Sequence, residues 1–259
     1  MKVVAILQAR MGSTRLPGKV LLPAAGKSLI SHMIERVRRS SSVDELWLAT
    51  SEESANDPLA AEVNGNGVAV YRGSEHDVLS RYADVAQRAE ADWVVRLTGD
   101  CPLHDPAIID AVVGFAIAHG SEFDYVCNSL RPTFPDGLDV EVFTRASLDR
   151  AAKEAVTMLE REHVTPFIHR YHDGPGPFRV GHFIGPADFS HLRWTVDEPA
   201  DYEVVKEIFE ALYPVKPEFG WMDVLALVTN RPELIMKNSG FVRNEGYFKS
   251  LAKFSKEAP

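Results

Sequence analysis

Val3 to Leu7 is an unbroken apolar, β-branched run that turns polar at Gln8. A short run without polar alternation suits a parallel strand buried on both faces, followed by a loop. Leu46–Thr50, Val68–Tyr71 and Trp93–Leu97 repeat the pattern. Between these strands lie helical stretches. Ser31–Arg39 sets Met33, Ile34 and Val37 at helical spacing. Ala60–Val63, Val78–Ala89 and Pro106–Ala118 read as further helices, the last with Asp105 as N-cap and Pro106 at its first position. Strand and helix alternating at this rhythm predict a parallel sheet with helices on both faces over residues 1–120.

The rhythm then changes. Asp124–Ser129 and Leu138–Phe143 read as strands around the turn-rich RPTFPDG, Ser147–Arg161 as one helix, and Phe178–Ile184 as a strand after DGPGP. The span 128–186 is therefore expected to leave the main sheet as an excursion. Pro199–Leu212 reads as a helix whose acidic start suits the helix dipole. Trp221–Thr229 and Pro232–Lys237 form a helical tail within 216–259, and Trp194 and Trp221 are expected in the core. The whole reads as a single α/β domain, residues 1–259, without repeats or low-complexity tracts.

At 259 residues, 45% hydrophobic and 25% charged, the chain has the composition of a globular protein with a substantial core. A formal charge of −9 speaks against a general nucleic-acid binder, while leaving room for local basic clusters that hold a small polyphosphate. MKVVAILQAR is too short an apolar run for a secretory signal. No apolar stretch reaches the roughly 18 residues that span a bilayer. Cys101 and Cys127 form neither a disulfide framework nor a CxxC pair. A cytoplasmic location is the simplest expectation.

Three segments carry chemistry. QARMGSTRLPGKVL, Gln8 to Leu21, leaves the carboxyl end of the first strand, where open α/β sheets bind ligands. Gly12 and Gly18 permit close backbone approach, Ser13 and Thr14 add donors, and Arg10, Arg15 and Lys19 bring three positive charges. Converging donors of this kind suit a triphosphate. The loop is not a Walker A motif, because GxxxxGK[ST] is absent. RLTGDCPLHDP then places Asp100 just past the fourth strand, a hard oxygen ligand of the sort Mg²⁺ prefers. Asp105 reads as a helix cap and His104 as a loop residue rather than a base. In LRWTVDEPADYEVV, Asp197 precedes the helix start Glu198-Pro199. It meets Asp100 only if its strand lies beside the fourth; an ordinary helix start is the alternative.

Gln8 to Leu21 resembles the N-terminal motif of the cytidylyltransferases that make CMP-activated sugar acids, such as the CMP-Kdo and CMP-sialic acid synthetases. TGDCPL resembles their GDxPL segment, and TVDEPADYE their acidic segment before a helix. Within that family, the spore coat polysaccharide biosynthesis (SpsF) subgroup shares YRGSEHDVLSRY, FPDGLDVEVF, EREHVTPFIH and the tail NEGYFKSL. The resemblance covers nearly the whole chain. It implies a three-layer, GT-A-like (Rossmann-like) nucleotidyltransferase fold, a dimerisation role for the excursion, a homodimer, and Mg²⁺-dependent transfer of CMP from CTP to a sugar-acid-like acceptor. By the same resemblance, Arg10, Ser13, Arg15 and Lys19 hold the triphosphate, and Gln8, Ala9, Gly12 and Thr50 are expected beside the nucleotide; Gly73, Ser74 and Glu75, on the ligand-binding edge, either line the base pocket or form a turn after the third strand. Arg10, Arg15, Lys19 and Asp100 act in catalysis, and Asp100 and Asp197 hold the metal.

Two departures fall near the base and sugar. Thr50-Ser51 stands where the synthetases carry a Thr-Asp pair, and RGSEHDVLSRY replaces their SGTDR-type segment. Cytosine specificity and acceptor identity are left open by these changes. Asp136, Asp139 and Glu141 either face the acceptor or alternate into solvent. Glu162, His163 and His169 do not form a zinc motif, and His163 is expected as a packing or substrate contact. A glycosyltransferase of the same fold calls for a DxD motif, of which only the Asp of GDC is present. A non-catalytic nucleotide-binding partner has no need to keep Lys19, Asp100 and Asp197.

Overall fold

A computed structural model describes residues 1–257. Strand β1 (Val3–Gln8) is followed by a small antiparallel hairpin of β2 (Pro23–Ala24) and β3 (Lys27–Ser28). The remaining strands are β4 (Glu45–Ser51), β5 (Ala69–Gly73), β6 (Trp93–Thr98), β7 (Tyr125–Cys127), β8 (Glu141–Thr144) and β9 (Val180–His182). All but the hairpin join one seven-stranded sheet, in the order β5-β4-β1-β6-β8-β7-β9. β5, β4, β1 and β6 run parallel; β8 enters antiparallel between β6 and β7, and β9 pairs parallel with β7. Gln8 stands in register with Ala49 on β4 and Thr98 on β6, so these three parallel strands release their loops along one edge.

The helices before the excursion are α1 (Leu29–Val37), α2 (Asp57–Gly65), α3 (Val78–Arg88) and α4 (Pro106–Ala118). They are followed by α5 (Arg145–Glu154), α6 (Met158–His163), α7 (Pro166–His169), α8 (Pro199–Leu212), α9 (Trp221–Asn230), α10 (Pro232–Asn238) and α11 (Glu245–Glu257). Alternation along β1 explains the layering. Val3, Ala5 and Leu7 pack in one core with Met33 of α1, Ile109 of α4 and Ile208 of α8. Val4 and Ile6 face a second core containing Leu79 and Val85 of α3, Leu148 of α5 and Phe167 of α7. A strand covered on both sides has no polar face to show, which is why its sequence is a continuous apolar run.

The first half of the chain follows its pattern closely. Ser28 caps α1 by accepting from the Ser31 N–H, and Asp105 caps α4 through the N–H groups of Ala107 and Ile108 at 2.9 and 3.3 Å. The excursion departs from expectation in three places. Ser147–Arg161 is not one helix: Ala155 is extended, and Thr157 with Glu160 forms a capping box that starts α6. Such a box gives the chain a strong local reason to restart. Leu138–Phe143 becomes a strand only from Glu141, because Asp136 bridges Arg193 instead, while the Asn128 side chain donates to the Leu138 carbonyl and accepts from the Val140 N–H. β8 and β9, both inside 128–186, belong to the main sheet. Trp194 is buried as expected, whereas Trp221 is half-buried against Phe134 and Phe189.

Candidate active site

The loop after β1 is shaped by its own backbone. The Ser13 and Gly18 N–H groups both donate to the Met11 carbonyl, at 2.9 and 3.1 Å, and the Ser13 hydroxyl accepts from the Leu16 N–H. Gly18 takes φ 68°, a left-handed conformation that a residue with a Cβ rarely adopts. Lys19 follows immediately, at the start of a single 3-10 turn, Lys19–Leu21. The loop is tethered to the end of β4, since the Met11 N–H donates to Asn56, whose amide donates to Ser51. A Cβ on Gly99 would lie 2.6 Å from that of Ala9, so glycine at that position lets the loops after β1 and β6 meet.

Asp100 and Asp197 arrive at the same place. The Val196 N–H donates to the Asp100 carbonyl at 2.7 Å, and the Thr195 hydroxyl reaches the same oxygen at 3.1 Å. Between the two carboxylates stands the ammonium of Lys19. It donates to Asp197 Oδ1 and the Val196 carbonyl, both at 2.8 Å, and lies 3.5 Å from Asp100 Oδ2. Burial opposes charge on Lys19, yet Asp100 and Asp197 more than reverse that and hold its pKa above the ordinary lysine value. Burial likewise opposes charge on Asp100, but Lys19, with hydrogen bonds from Thr98 and Cys101, brings its pKa down to about 2. Asp100 is an anion at neutral pH.

The other two loop cations are also paired with protein carboxylates. Arg15 meets Asp197 at 3.2 Å, Glu198 at 2.8 Å and Glu245 at 2.7 Å; Arg10 meets Glu75 at 2.6 Å. Positive and negative groups thus alternate along this edge, each cation compensated by a protein carboxylate. No group of three or more His, Cys, Asp or Glu side chains suited to a metal occurs among the described residues. Asp100 and Asp197 form a two-carboxylate, all-oxygen donor set. That composition fits Mg²⁺, which usually takes one or two carboxylates and completes its shell with water and substrate phosphate.

Other expected positions are more scattered. Thr50 is wholly buried and its hydroxyl has no hydrogen-bond partner, while Gly73 is buried and Ser74 exposed. Gln8 accepts from Arg96 at 3.4 Å; Gly12 is open to solvent. His104 is fully buried, consistent with no role as a base at the surface. His163 and His169 sit on different helices, the first edge-on to Tyr247 and the second against Tyr125. The solvent-facing alternative for Asp136, Asp139 and Glu141 is overturned, because an arginine turns each inward: Arg193, Arg243 and Arg96 respectively. Burial, opposed by Arg243 and reinforced by Asp136, Glu141 and Asp100, lifts the Asp139 pKa to about 7. Arg193, Arg243 and Glu245 escaped the sequence reading. Glu245 belongs to the NEGYFKSL segment, the one signal that pointed toward it.

Residues 4–201 match the cytidylyltransferase family. The chain belongs to that family. Among its relatives, the spore coat polysaccharide biosynthesis protein SpsF of Bacillus subtilis (strain 168) is 33% identical over 238 residues, covering 89% of this chain and 95% of that protein. A cytidylyltransferase structure from Leptospira borgpetersenii superposes with a TM-score of 0.86 at 34% identity, covering 92% of this chain and 98% of that one. The structure of CMP:2-keto-3-deoxy-manno-octonic acid synthetase complexed with CTP shares the fold at a TM-score of 0.61 and 20% identity, covering 82% and 99%. The cytidylyltransferase is therefore an α/β nucleotidyltransferase with a mostly parallel sheet. No helix among its described residues is long and apolar enough to cross a membrane.

Proposed function

We propose that the protein transfers CMP from CTP to a hydroxyl group of a sugar-acid-like acceptor, with release of pyrophosphate, in a Mg²⁺-dependent step of surface polysaccharide biosynthesis. The observation that carries this reading is the Lys19 ammonium at the meeting of Asp100 and Asp197, beside Arg15. Family membership and the relatives named above support the donor and the pathway class. In this reading the span 128–186 carries a homodimer contact, and the enzyme works in the cytoplasm, where its triphosphate donor is available.

The acceptor oxygen attacks the α-phosphorus as the bond to the bridging oxygen breaks, and pyrophosphate leaves with the bonding pair. The hydroxyl proton passes to solvent. As the donor binds, before the chemical step, Arg15 and Lys19 exchange their carboxylate partners for the phosphates that will leave as pyrophosphate, and Arg10 exchanges Glu75 for the α-phosphate. Fixed cations aimed at developing charge lower the barrier without needing to reorganise during reaction. A divalent cation at Asp100 and Asp197, when bound, supplies compensation for phosphate charge.

The test is pyrophosphate release from CTP and magnesium chloride across a panel of sugar acids, comparing wild type with Asp100→Asn. Loss of about a hundredfold or more in the variant is the expected result, since metal stabilisation of transferring phosphate is worth several kcal/mol. Equal release by both proteins, or consumption of a nucleotide-sugar donor without pyrophosphate, would sink the reading.

A further inference from the structure

Helix α11 begins well beyond the family-matched span of 4–201, yet its first residue reaches the phosphate loop. Glu245 Oε2 lies 2.7 Å from Arg15 Nη1, the nitrogen that also meets Glu198 at 2.8 Å; Arg15 Nη2 meets Asp197 at 3.2 Å. Asp197 is also met by Lys19 at 2.8 Å and Arg193 at 3.5 Å, which leaves Glu198 and Glu245 sharing one nitrogen of Arg15. Asp197 and Glu198 belong to the segment that forms the site, whereas Glu245 is brought in by the tail. Its other oxygen accepts from Lys249 at 2.9 Å, so Glu245 keeps a cation when Arg15 turns elsewhere.

The tail is moored independently of that contact. Arg243 pairs with Asp139 and donates to the Phe134 carbonyl at 3.1 Å, Tyr247 packs edge-on against His163 at 5.1 Å, and the Ser250 hydroxyl reaches Glu162 at 3.4 Å. The Arg15 and Glu245 side chains are 27% and 38% exposed, so their pair stands at the rim, open to a ligand arriving from solvent. An ion pair this exposed is weak. A phosphate accepting bidentate, charge-assisted bonds is the stronger partner for the same guanidinium.

We propose that Glu245 is a built-in competitor of the donor's phosphates, holding Arg15 in the empty enzyme and yielding it when the triphosphate enters. The tail then sets donor affinity without touching the reacting atoms. This rests on the assignment of Arg15 to the triphosphate.

The test is calorimetric titration of the full-length protein with CTP and magnesium chloride, using wild type, Glu245→Gln and Arg15→Ala, with hydrogen exchange followed along α11. Glu245→Gln is expected to tighten CTP binding by about two- to fivefold, the range set by an exposed ion pair. In wild type, CTP is expected to speed exchange in the first turn of α11. If Arg15→Ala weakens CTP binding but Glu245→Gln leaves it unchanged or weaker, the competitor role is overturned and the phosphate assignment stands. Unchanged exchange in α11 also overturns it. If Arg15→Ala leaves CTP binding intact, the phosphate assignment itself falls.

Discussion

The backbone N–H of Val196 bonds the carbonyl oxygen of Asp100 at 2.7 Å, joining two segments that are distant in the chain. That single bond fixes the step between them, so that Asp197, the next residue, projects toward the same ammonium as Asp100. The Thr195 hydroxyl doubles the link by bonding the same oxygen. The carboxylate pair is therefore set by backbone geometry, and Lys19 reports on it.

Replacing Lys19 with methionine separates the two ligands that the proposed function assigns to the site. If Lys19 holds the donor's phosphates as proposed, the variant lowers CTP affinity by about tenfold, the order of one charge-assisted contact. It also frees Asp100 and Asp197 from the ammonium that Asp197 holds at 2.8 Å. Affinity for Mn²⁺ without nucleotide, read by electron paramagnetic resonance, should therefore rise. Opposite signs for the two ligands are expected. A fall in both would show that Lys19 maintains the site rather than occupying it.

The parallel half of the fold was legible because its forces are local. β1 is apolar from Val3 to Leu7 since both faces are covered, and Asp105 and Pro106 mark a helix start by their own chemistry, whereas α1 is capped by Ser28, three residues before the expected start at Ser31. Positions Gln8 to Lys19 followed from the rule that ligands gather at the carboxyl edge of such a sheet. The rest depended on distant partners. Nothing local in TVDE reveals that Val196 meets Asp100, and Asp136, Asp139 and Glu141 turn inward only because Arg193, Arg243 and Arg96 neutralise them. Glu245 reaches Arg15 through the packing of a terminal helix, which no periodicity records.

Arg193 should be the most costly cation to remove. Its guanidinium pairs with Asp201 at 2.8 and 2.9 Å and with Asp136 at 2.8 Å, and Asp201 is wholly buried. Asp201 in turn accepts from the Asp197 and Glu198 N–H groups at 3.0 Å, holding the segment that carries Asp197 in place. Arg193→Met leaves the buried Asp201 without a cation, while Asp136 keeps Arg243 at 4.0 Å, at a cost of about 3–5 kcal/mol. Urea unfolding should show a correspondingly lower midpoint at neutral pH. A loss under about 1 kcal/mol would mean that the carboxylates find water instead.

Two glycines offer a matched contrast. Gly137 has φ 107°, and a Cβ there would lie 2.6 Å from the Thr195 nitrogen and the Trp194 carbonyl carbon, both backbone atoms that cannot swing aside. Gly137→Ala should destabilise by about 2 kcal/mol or more and reduce pyrophosphate release, because the displaced segment carries Val196 and Asp197. Gly114 lies within α4 with nothing within 4 Å of a built Cβ. Gly114→Ala should stabilise by about 0.5–1 kcal/mol and leave turnover as it was. Thermal and urea unfolding of the two variants, side by side, check both signs.

His104 sets an acid limit. Its ring is wholly buried and neither nitrogen has a hydrogen-bond partner, so burial drives its pKa from 6.5 down to about 3 despite the nearby Asp100. A histidine depressed in this way stays neutral in the folded protein, while the unfolded chain takes up a proton below about 6.5. Its contribution is thus fully present above pH 6.5 and disappears as pH falls toward 3, with a slope of up to about 1.4 kcal/mol per pH unit. His104→Leu removes the group that titrates. Unfolding free energies of the variant, measured between pH 6.5 and 4, should decline less steeply than those of wild type. Parallel curves would mean that the ring reaches solvent in the native protein and is protonated there.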